Sequence, residues 1–127
     1  MESLFENLPP YDGYPQFKIE PDKGYFEVYG SSTPEDVVAA YEGFIKDLQI
    51  FLDNPKKKVE ICFRLQYFNT ASSRIILNIL GLLETYKEDK EGDVLATWFY
   101  YDDEEEEMEE AGHEFEELVD IPFQFRA

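Results

Sequence analysis

The chain has 127 residues, with 29 Asp and Glu against 11 Lys and Arg, and its formal net charge at pH 7 is −18. A chain of this length buries roughly two-thirds of the surface that its unfolded form exposes, so one globular domain over residues 1–127 is expected. The negative charge argues against binding to DNA, RNA or anionic lipid, because each of these polyanions requires a cationic face.

Cysteine usage and apolar runs indicate the compartment. One cysteine, Cys62, cannot form an intrachain disulfide, and the start Met1-Glu2-Ser3-Leu4 lacks the cationic and apolar parts of a signal peptide. The longest apolar run, Ile75–Leu83, contains Asn78 and is far shorter than the roughly 20 residues that a membrane span needs. We therefore expect a cytoplasmic protein that makes no contact with a membrane.

A β-hairpin is predicted near the start of the chain. After an extended leader over residues 1–15, two runs rich in aromatic and β-branched residues follow at 16–20 and 24–30. The segment Pro21-Asp22-Lys23-Gly24 separates them and supplies turn residues. These features predict two antiparallel strands.

A first helix is predicted after the hairpin. Thr33 is the N-cap candidate, and Pro34 would occupy the first helical position. Apolar residues then recur at helical spacing: Val37, Tyr41, Phe44, Leu48 and Phe51. Because Asn54-Pro55 disfavours continuation, the helix should end near Asp53.

A strand and a second helix follow. Residues 58–68 alternate between apolar and other side chains. One face of this predicted strand consists of Val59, Ile61, Phe63, Leu65 and Tyr67. From Asn69 onward, a broad apolar stripe at helical spacing extends to Tyr86 and predicts a well-buried helix, and Lys87–Gly92 is predicted to be a polar loop.

The acidic end of the chain is predicted to be helical. Residues 102–127 hold 12 acidic residues and one basic residue, Arg126, for a net charge of −11. Apolar residues recur there at spacings of three, four and three: Met108, Ala111, Phe115 and Leu118. That pattern predicts an amphipathic helix over 102–120 with acidic outer faces, whose charge we expect to maintain solubility.

The order of the elements predicts the fold class. Residues 94–101 are apolar at both parities, as in an interior strand, and Pro122 would confine a short strand at 121–125 to a sheet edge. The order is therefore ββαβαβα plus a short C-terminal strand. We predict an α/β fold with a mixed, largely parallel sheet of four to five strands and about three helices.

The sequence lacks the usual motifs of metal, nucleotide and nucleophile chemistry. His113 is the single histidine, so a helical zinc site with two histidines is not possible, and the seven glycines form no phosphate-binding loop. The acidic run lacks the ligand spacing and turn glycine of a calcium loop. Cys62 on a strand is typical of a buried small residue. We predict no catalytic residues, no metal site and no cofactor.

One constellation remains, at the predicted junction of strand and helix: Asn69-Thr70-Ala71-Ser72-Ser73-Arg74. It fits an ordinary helix start, with Asn69 or Thr70 as N-cap and the serines in the first turn. It also fits a functional site, because loops at the carboxyl ends of parallel strands often carry one. A phosphate on Thr70 would gain from the helix N-terminus, and Arg74 could reach toward it.

The element order and this junction resemble the STAS domain of anti-sigma-factor antagonists, in which a strand enters an Asp-Ser-Ser-Gly turn whose first serine is phosphorylated. Asn69-Thr70 stands where Asp-Ser would be, and the glycine is not reproduced. The chain is more similar to the SiaC family of bacterial regulatory phosphoproteins. The segments that carry this resemblance are 24–30, 32–35, 64–73, 98–102 and 122–123, and the Asn-Thr-x-Ser-Ser junction is the distinctive one.

The resemblance implies a switch without catalysis. Thr70 takes the place of a threonine that a cognate kinase phosphorylates and a cognate phosphatase restores, and Asn69, Ser72, Ser73 and Arg74 would form the partner and phosphate surface. The unphosphorylated form would bind an effector. In the member that gives the family its name, that effector is a diguanylate cyclase, which links the family to cyclic di-GMP and to biofilm and aggregation control.

A second hypothesis stays open, in which the chain is a small-ligand-binding or enzymatic α/β domain that uses the aromatic strand 94–101 and nearby carboxylates. It rests on an aromatic content of 17% and on Trp98-Phe99-Tyr100-Tyr101. Aromatic residues are more often part of a core. A pocket with converging carboxylates of perturbed pKa would favour this hypothesis.

Overall fold

The computed structural model describes residues 13–100 and 106–127. In that part of the chain, strands and helices alternate after an initial hairpin. The elements are β1 (Pro15–Glu20), β2 (Tyr25–Ser32), α1 (Val37–Leu52), β3 (Lys58–Phe68), α2 (Thr70–Lys90), β4 (Asp93–Phe99), α3 (Glu106–Leu118) and β5 (Phe123–Arg126). No helix of the described residues is long and apolar enough to cross a bilayer.

The strands form one sheet in the order β1-β2-β3-β4-β5. β1 pairs with β2 in the antiparallel sense, and the three other pairings are parallel. The predicted α/β class with a mixed, largely parallel sheet is confirmed, with five strands. β5 lies at the edge beside β4, as Pro122 predicted.

All three helices lie against the same face of the sheet. Each parallel pair is joined by a helix, and right-handed crossovers in one direction across a sheet place their helices on one side. Phe26 and Trp98 point to that face, where Phe26 contacts Phe44 of α1 and Trp98 contacts Phe115 of α3. α2 packs against α1 and β4. The opposite face carries Glu27, Glu60, Arg64 and Thr97 among others.

α3 is held on the sheet by Trp98. The indole Nε1–H donates a 2.9 Å hydrogen bond to the carbonyl oxygen of Met108, and the ring is 1% exposed. Met108 and Phe115 are buried, which confirms an amphipathic acidic helix, with bounds Glu106–Leu118. Residues 102–105, the start of the predicted span, lie outside the described residues. Leu118 was expected in the same stripe but is 64% exposed, because at 3.6 residues per turn the stripe continues to the half-buried Val119.

The first two strands form the predicted hairpin. A 3₁₀ turn over Pro21–Lys23 joins them, and Gly24 follows with a φ of 62°. A Cβ atom at Gly24 would lie 2.2 Å from the carbonyl oxygen of Lys58, so both the backbone conformation and the neighbouring strand require glycine. Of the predicted leader 1–15, residues 1–12 lie outside the described residues, whereas Pro15 is buried within β1.

The prediction that Thr33 caps α1 is wrong. The helix begins at Val37, and the Asp36 carboxylate accepts the N–H of Ala39 at 3.1 Å. Thr33 instead donates its N–H to the carbonyl oxygen of Gly13 at 2.6 Å, which continues the extended path of β2. The predicted end of α1 is confirmed, because Asp53 is its C-cap.

The predicted loop at Lys87–Gly92 is also wrong over most of its length. α2 continues to Lys90, and Glu91 closes it in a left-handed conformation with a φ of 55°. Two contacts favour the extra turn. Lys87 reaches the carbonyl oxygen of Asp120, and Lys90 donates to the carbonyl oxygen of Asp53. Cations in the last turn also interact favourably with the helix dipole.

β3 has the predicted bounds, but its last residues exchange faces. Gly30 pairs with Leu65 and Ser31 pairs with Tyr67, so Gln66 is an extra residue in β3 and forms a bulge. Val59, Ile61, Phe63 and Leu65 are buried as predicted. Beyond the bulge the parity reverses, and Tyr67, which was expected on the apolar face, is 60% exposed.

We predict that Gly112→Ala destabilises the protein. A Cβ atom there would lie 2.5 Å from Cδ1 of Trp98 and 2.8 Å from Cε2 of Phe125, so the aromatic cluster must shift at a cost of about 1–3 kcal/mol. Gly43→Ala in α1 is the control, because a Cβ atom there meets open space and should raise stability by about 0.5–1 kcal/mol. Urea unfolding measures both variants, and equal effects would contradict this packing.

Candidate functional site

The junction of β3 and α2 forms a capped turn with Thr70 at the first helical position. Asn69 is the N-cap, and its side-chain oxygen accepts the N–H of Ser72 at 2.8 Å. The first helical bond runs from the N–H of Ser73 to the carbonyl oxygen of Asn69 at 3.0 Å. The prediction of a helix start is confirmed, with Asn69 rather than Thr70 as the cap.

Two hydrogen bonds fasten this turn to the end of β2. The carbonyl oxygen of Ser32 accepts the N–H of Asn69 at 3.1 Å and the hydroxyl of Ser72 at 2.7 Å. These donors flank Thr70 on both sides in sequence. The turn is therefore held at both ends by one acceptor.

A buried network of hydroxyl groups continues from this anchor into α1. The Oγ atom of Ser32 lies 2.8 Å from that of Ser72 and 2.6 Å from the hydroxyl of Tyr41, and all three residues are 0% exposed. Since Ser72 uses its single proton on the carbonyl oxygen of Ser32, its Oγ accepts from Ser32, whose Oγ in turn accepts from Tyr41. Burial raises the pKa of Tyr41 to about 12, so this donor stays protonated at neutral pH.

The residues predicted for the site divide into an exposed and a buried group. Thr70 and Arg74 are exposed, and Asn69 and Ser73 are half-buried. Ser73 donates its hydroxyl to the carbonyl oxygen of Thr70 at 2.6 Å, a local bond within the first turn. Ser72 was expected on the same surface, but the structure places it beneath that surface, because its hydroxyl faces β2 and not solvent.

Sequence reasoning missed Ser32 and Tyr41 as parts of the site. Ser32 was noted only within the segment 32–35 that carries the family resemblance, and Tyr41 only as an apolar position of the first helix. Ser72 lies 40 residues beyond Ser32, to which it bonds, and Ser32 in turn bonds to Tyr41. No local pattern marks hydroxyl groups that meet in a core. The one available signal was the presence of polar atoms at positions that periodicity predicted to be buried.

The exposed part of the turn can accept a phosphate. The first N–H groups of a helix have no partner within the helix, and the cap of Asn69 takes up that of Ser72. The N–H groups of Thr70 and Ala71 lie at the positive end of the 21-residue helix α2. Arg74 is four residues from Thr70 and hence on the same helix face.

The aromatic strand of the second hypothesis contributes mainly to packing. Trp98 is in the core, and the Arg64 guanidinium lies 4.3 Å from the centre of the Phe99 ring. Tyr101 lies outside the described residues. A cleft of about 490 Å³ on the helix-free face is lined partly by Glu27 and Glu60. Each of these carboxylates accepts a hydrogen bond from a neighbouring side chain.

The partners of those carboxylates belong to the sheet itself. Tyr25 donates its hydroxyl to Glu27, and Thr97 donates to Glu60 at 2.6 Å. Burial and the bond to Glu27 raise the pKa of Tyr25. The two carboxylates thus already accept hydrogen bonds from the sheet, Glu27 from within β2 and Glu60 from the neighbouring strand β4.

Cys62 and His113 occupy ordinary positions. Cys62 is fully buried, and burial raises the pKa of its thiol to about 12, so it is not a reactive thiolate. His113 is exposed on α3 and stacks on Phe125 with 4.0 Å between ring centres. Among residues 13–100 and 106–127, no three His, Cys, Asp or Glu side chains are grouped as metal ligands.

A family model described as SiaC family regulatory phosphoprotein matches residues 8–127. The chain belongs to the SiaC family. The match covers β1 to β5, including the Asn69–Arg74 turn, so the resemblance stated from the sequence is confirmed. As a SiaC-family member, the chain is a regulatory protein.

Relatives from Pseudomonas aeruginosa agree with this assignment. An uncharacterized protein of strain UCBPP-PA14 is 27% identical over 121 residues, which are 95% of this chain and 94% of the relative. The crystal structure of apo-SiaC has a TM-score of 0.82 at 26% identity, covering 94% of this chain and 96% of that one. SiaC in complex with diguanylate cyclase SiaD, whose activator it is, has a TM-score of 0.83 at 28% identity over 94% and 97% of the chains.

We predict that Ser72→Ala destabilises this SiaC-family protein by about 1–3 kcal/mol, because it leaves buried partners on Ser32 without their hydrogen bonds. Ser73→Ala is the matched control. It removes one hydroxyl from the same turn, but that hydroxyl makes only a local bond near the surface, so the change should stay within about 0.5 kcal/mol. Urea unfolding gives the free energy of unfolding of both variants. Equal losses of this free energy would show that the buried network does not anchor the turn.

Proposed function

We propose that this chain is a non-catalytic signalling protein of the cytoplasm that is switched by phosphorylation of Thr70. A cognate kinase adds the phosphate and a cognate phosphatase removes it. The unphosphorylated form binds and regulates an effector, for which a diguanylate cyclase is the best candidate. The observation that carries this proposal is the exposed Thr70 at the start of α2, in a turn anchored from both sides on Ser32.

The turn suits a phosphoacceptor for two reasons. Its hydroxyl-bearing side chain is exposed while the residues that flank it are tied to the core, so an enzyme meets one defined geometry. A phosphate there would also be stabilised, because the N-terminus of a helix attracts anions and the Arg74 guanidinium lies on the same face. Thr70 therefore has both the access needed for transfer and the surroundings that favour the product.

The same charge opposes binding of an effector that packs over Thr70. Phosphorylation adds about −1.5 to −2 charges, and an interface that covers this group must remove its water. Desolvation of such a charge costs several kcal/mol, more than a typical contact returns. The unphosphorylated state is therefore the binding state in this proposal.

The choice of effector rests on a relative. SiaC of Pseudomonas aeruginosa was crystallised with the diguanylate cyclase SiaD as its activator, and this chain resembles that SiaC over 94% of its length. A cyclase partner would place the chain in cyclic di-GMP signalling. The assignment as a regulator without catalysis is supported by the regulatory family to which the chain belongs.

We predict that the cognate kinase, supplied with Mg²⁺ and ATP, adds one phosphate to the purified chain at Thr70. Fragment mass spectrometry locates it. Thr70→Ala should abolish incorporation, whereas Thr85→Ala, which alters an exposed threonine near the other end of α2, should leave it complete. Phosphate at any other residue, with none at Thr70, would contradict the proposal.

A further inference from the structure

One long segment of the chain contains no acidic residue. From Ile61 to Leu83 there is no Asp or Glu, and the only charged residues are Arg64 and Arg74. The next longest interval without an acid, 94–101, has eight residues. In a chain with a net charge of −18, the end of β3 and most of α2 are thus neutral or basic.

The exposed side chains of that segment gather around Thr70. Arg64 lies before the bulge, on the helix-free face, where its Nε atom is 4.0 Å from Oε2 of Glu27. The remaining exposed residues form what we name the acid-free patch: Gln66, Tyr67, Thr70, Ala71, Arg74 and Asn78. Thr70, Arg74 and Asn78 follow one another at helical spacing, and Tyr67 is the second-last residue of β3, the strand that leads into the helix.

Tyr67 supplies the apolar part of the patch. Its side chain is 60% exposed because the bulge at Gln66 turns it away from the core. It forms one wall of a cleft of about 180 Å³ between the end of β3 and α3, whose apolar lining includes Phe68, Met108 and Ala111. Glu107 stands at the α3 side of this cleft. Tyrosines with this exposure and a neighbouring cleft are typical anchors of protein interfaces.

Arg74 carries the only charge of the patch. It lies in α2, four residues after Thr70, whereas Glu107 belongs to α3. An exposed guanidinium is complementary to a carboxylate, to which it can donate two parallel hydrogen bonds. Among the lining residues of the cleft beside Tyr67, Glu107 is the one acid that a basic partner could meet.

We propose that the acid-free patch is the surface that receives the effector, and that the effector presents an acidic segment with an apolar side chain. The apolar side chain packs against Tyr67 in the cleft beside β3, and a carboxylate pairs with Arg74. This inference rests on the proposed function, which supplies the effector, and it adds the contact residues and the chemistry of the segment.

The phosphate on Thr70 and the carboxylate of the effector then compete for Arg74. Phosphate on Thr70 lies on the same helix face, one turn away, and takes the guanidinium as its own counterion. The effector carboxylate loses its partner and meets a group of about −1.5 to −2 charges instead. A basic effector segment would be attracted by the phosphate, so the acidic segment is the one that agrees with release on phosphorylation.

The apolar contact is tested with the unphosphorylated chain and the diguanylate cyclase of the same organism by isothermal titration calorimetry. Tyr67→Ala should weaken binding by at least about tenfold. Leu118→Ala is the matched control, because Leu118 is 64% exposed on α3 outside the patch, and it should change the affinity by less than about twofold. Both side chains are exposed, so neither variant should unfold the protein.

The charge contact is tested in the same titration. Arg74→Glu should weaken binding by at least about tenfold, and Lys46→Glu, which makes the same charge change on an exposed residue of α1, should act by less than about threefold. Tighter binding by Arg74→Glu would show a basic segment and overturn the proposal.

The outcomes separate this inference from the proposed function. If Tyr67→Ala and Arg74→Glu bind the cyclase as tightly as the wild type does, the acid-free patch is not the docking surface. That result does not contradict phosphorylation of Thr70. If the patch variants lose binding but the kinase leaves Thr70 unmodified, the docking surface is supported and the phosphorylation switch is contradicted.

Discussion

The carbonyl oxygen of Ser32 is the point on which the candidate site depends. It receives one hydrogen bond from the backbone of Asn69 and one from the hydroxyl of Ser72, so a single acceptor at the end of β2 fixes the turn that carries Thr70. The network continues through Tyr41 into α1. Three elements that are distant along the chain therefore set the position of one exposed hydroxyl group. Buried hydroxyls are costly unless they are bonded, and this network satisfies them fully.

Charge has a second organising role. The acids crowd α3 and the loops, whereas the end of β3 and the start of α2 carry none. A phosphate on Thr70 would therefore change the summed charge of the acid-free patch from positive, owing to Arg74, to negative, whereas the same charge on α3 would add to an already acidic helix. The location of Thr70 gives a single modification a large relative effect.

Local patterns predicted most of the fold. The bounds of β3 followed from strict alternation, a helix start capped at Asn69 or Thr70 from helix-start chemistry, and the edge position of β5 from Pro122. These features depend on neighbours within a few residues, which is why the sequence reveals them.

The errors have a common physical origin in contacts between distant segments. Tyr67 turns outward because β3 pairs with β2 through a bulge, and Ser72 is buried because β2 ends beside α2. The N-cap of α1 is Asp36 and not the predicted Thr33, because the N–H of Thr33 bonds to the carbonyl oxygen of Gly13. None of these pairings leaves a periodic or compositional mark on the residues concerned.

The central claim is that phosphate on Thr70 controls effector binding. The most direct measurement is the affinity of the diguanylate cyclase for the unphosphorylated chain and for the chain fully phosphorylated at Thr70, compared by calorimetry in the same buffer. The account predicts that the phosphorylated form binds at least about tenfold more weakly. Equal or tighter binding by the phosphorylated form would contradict it.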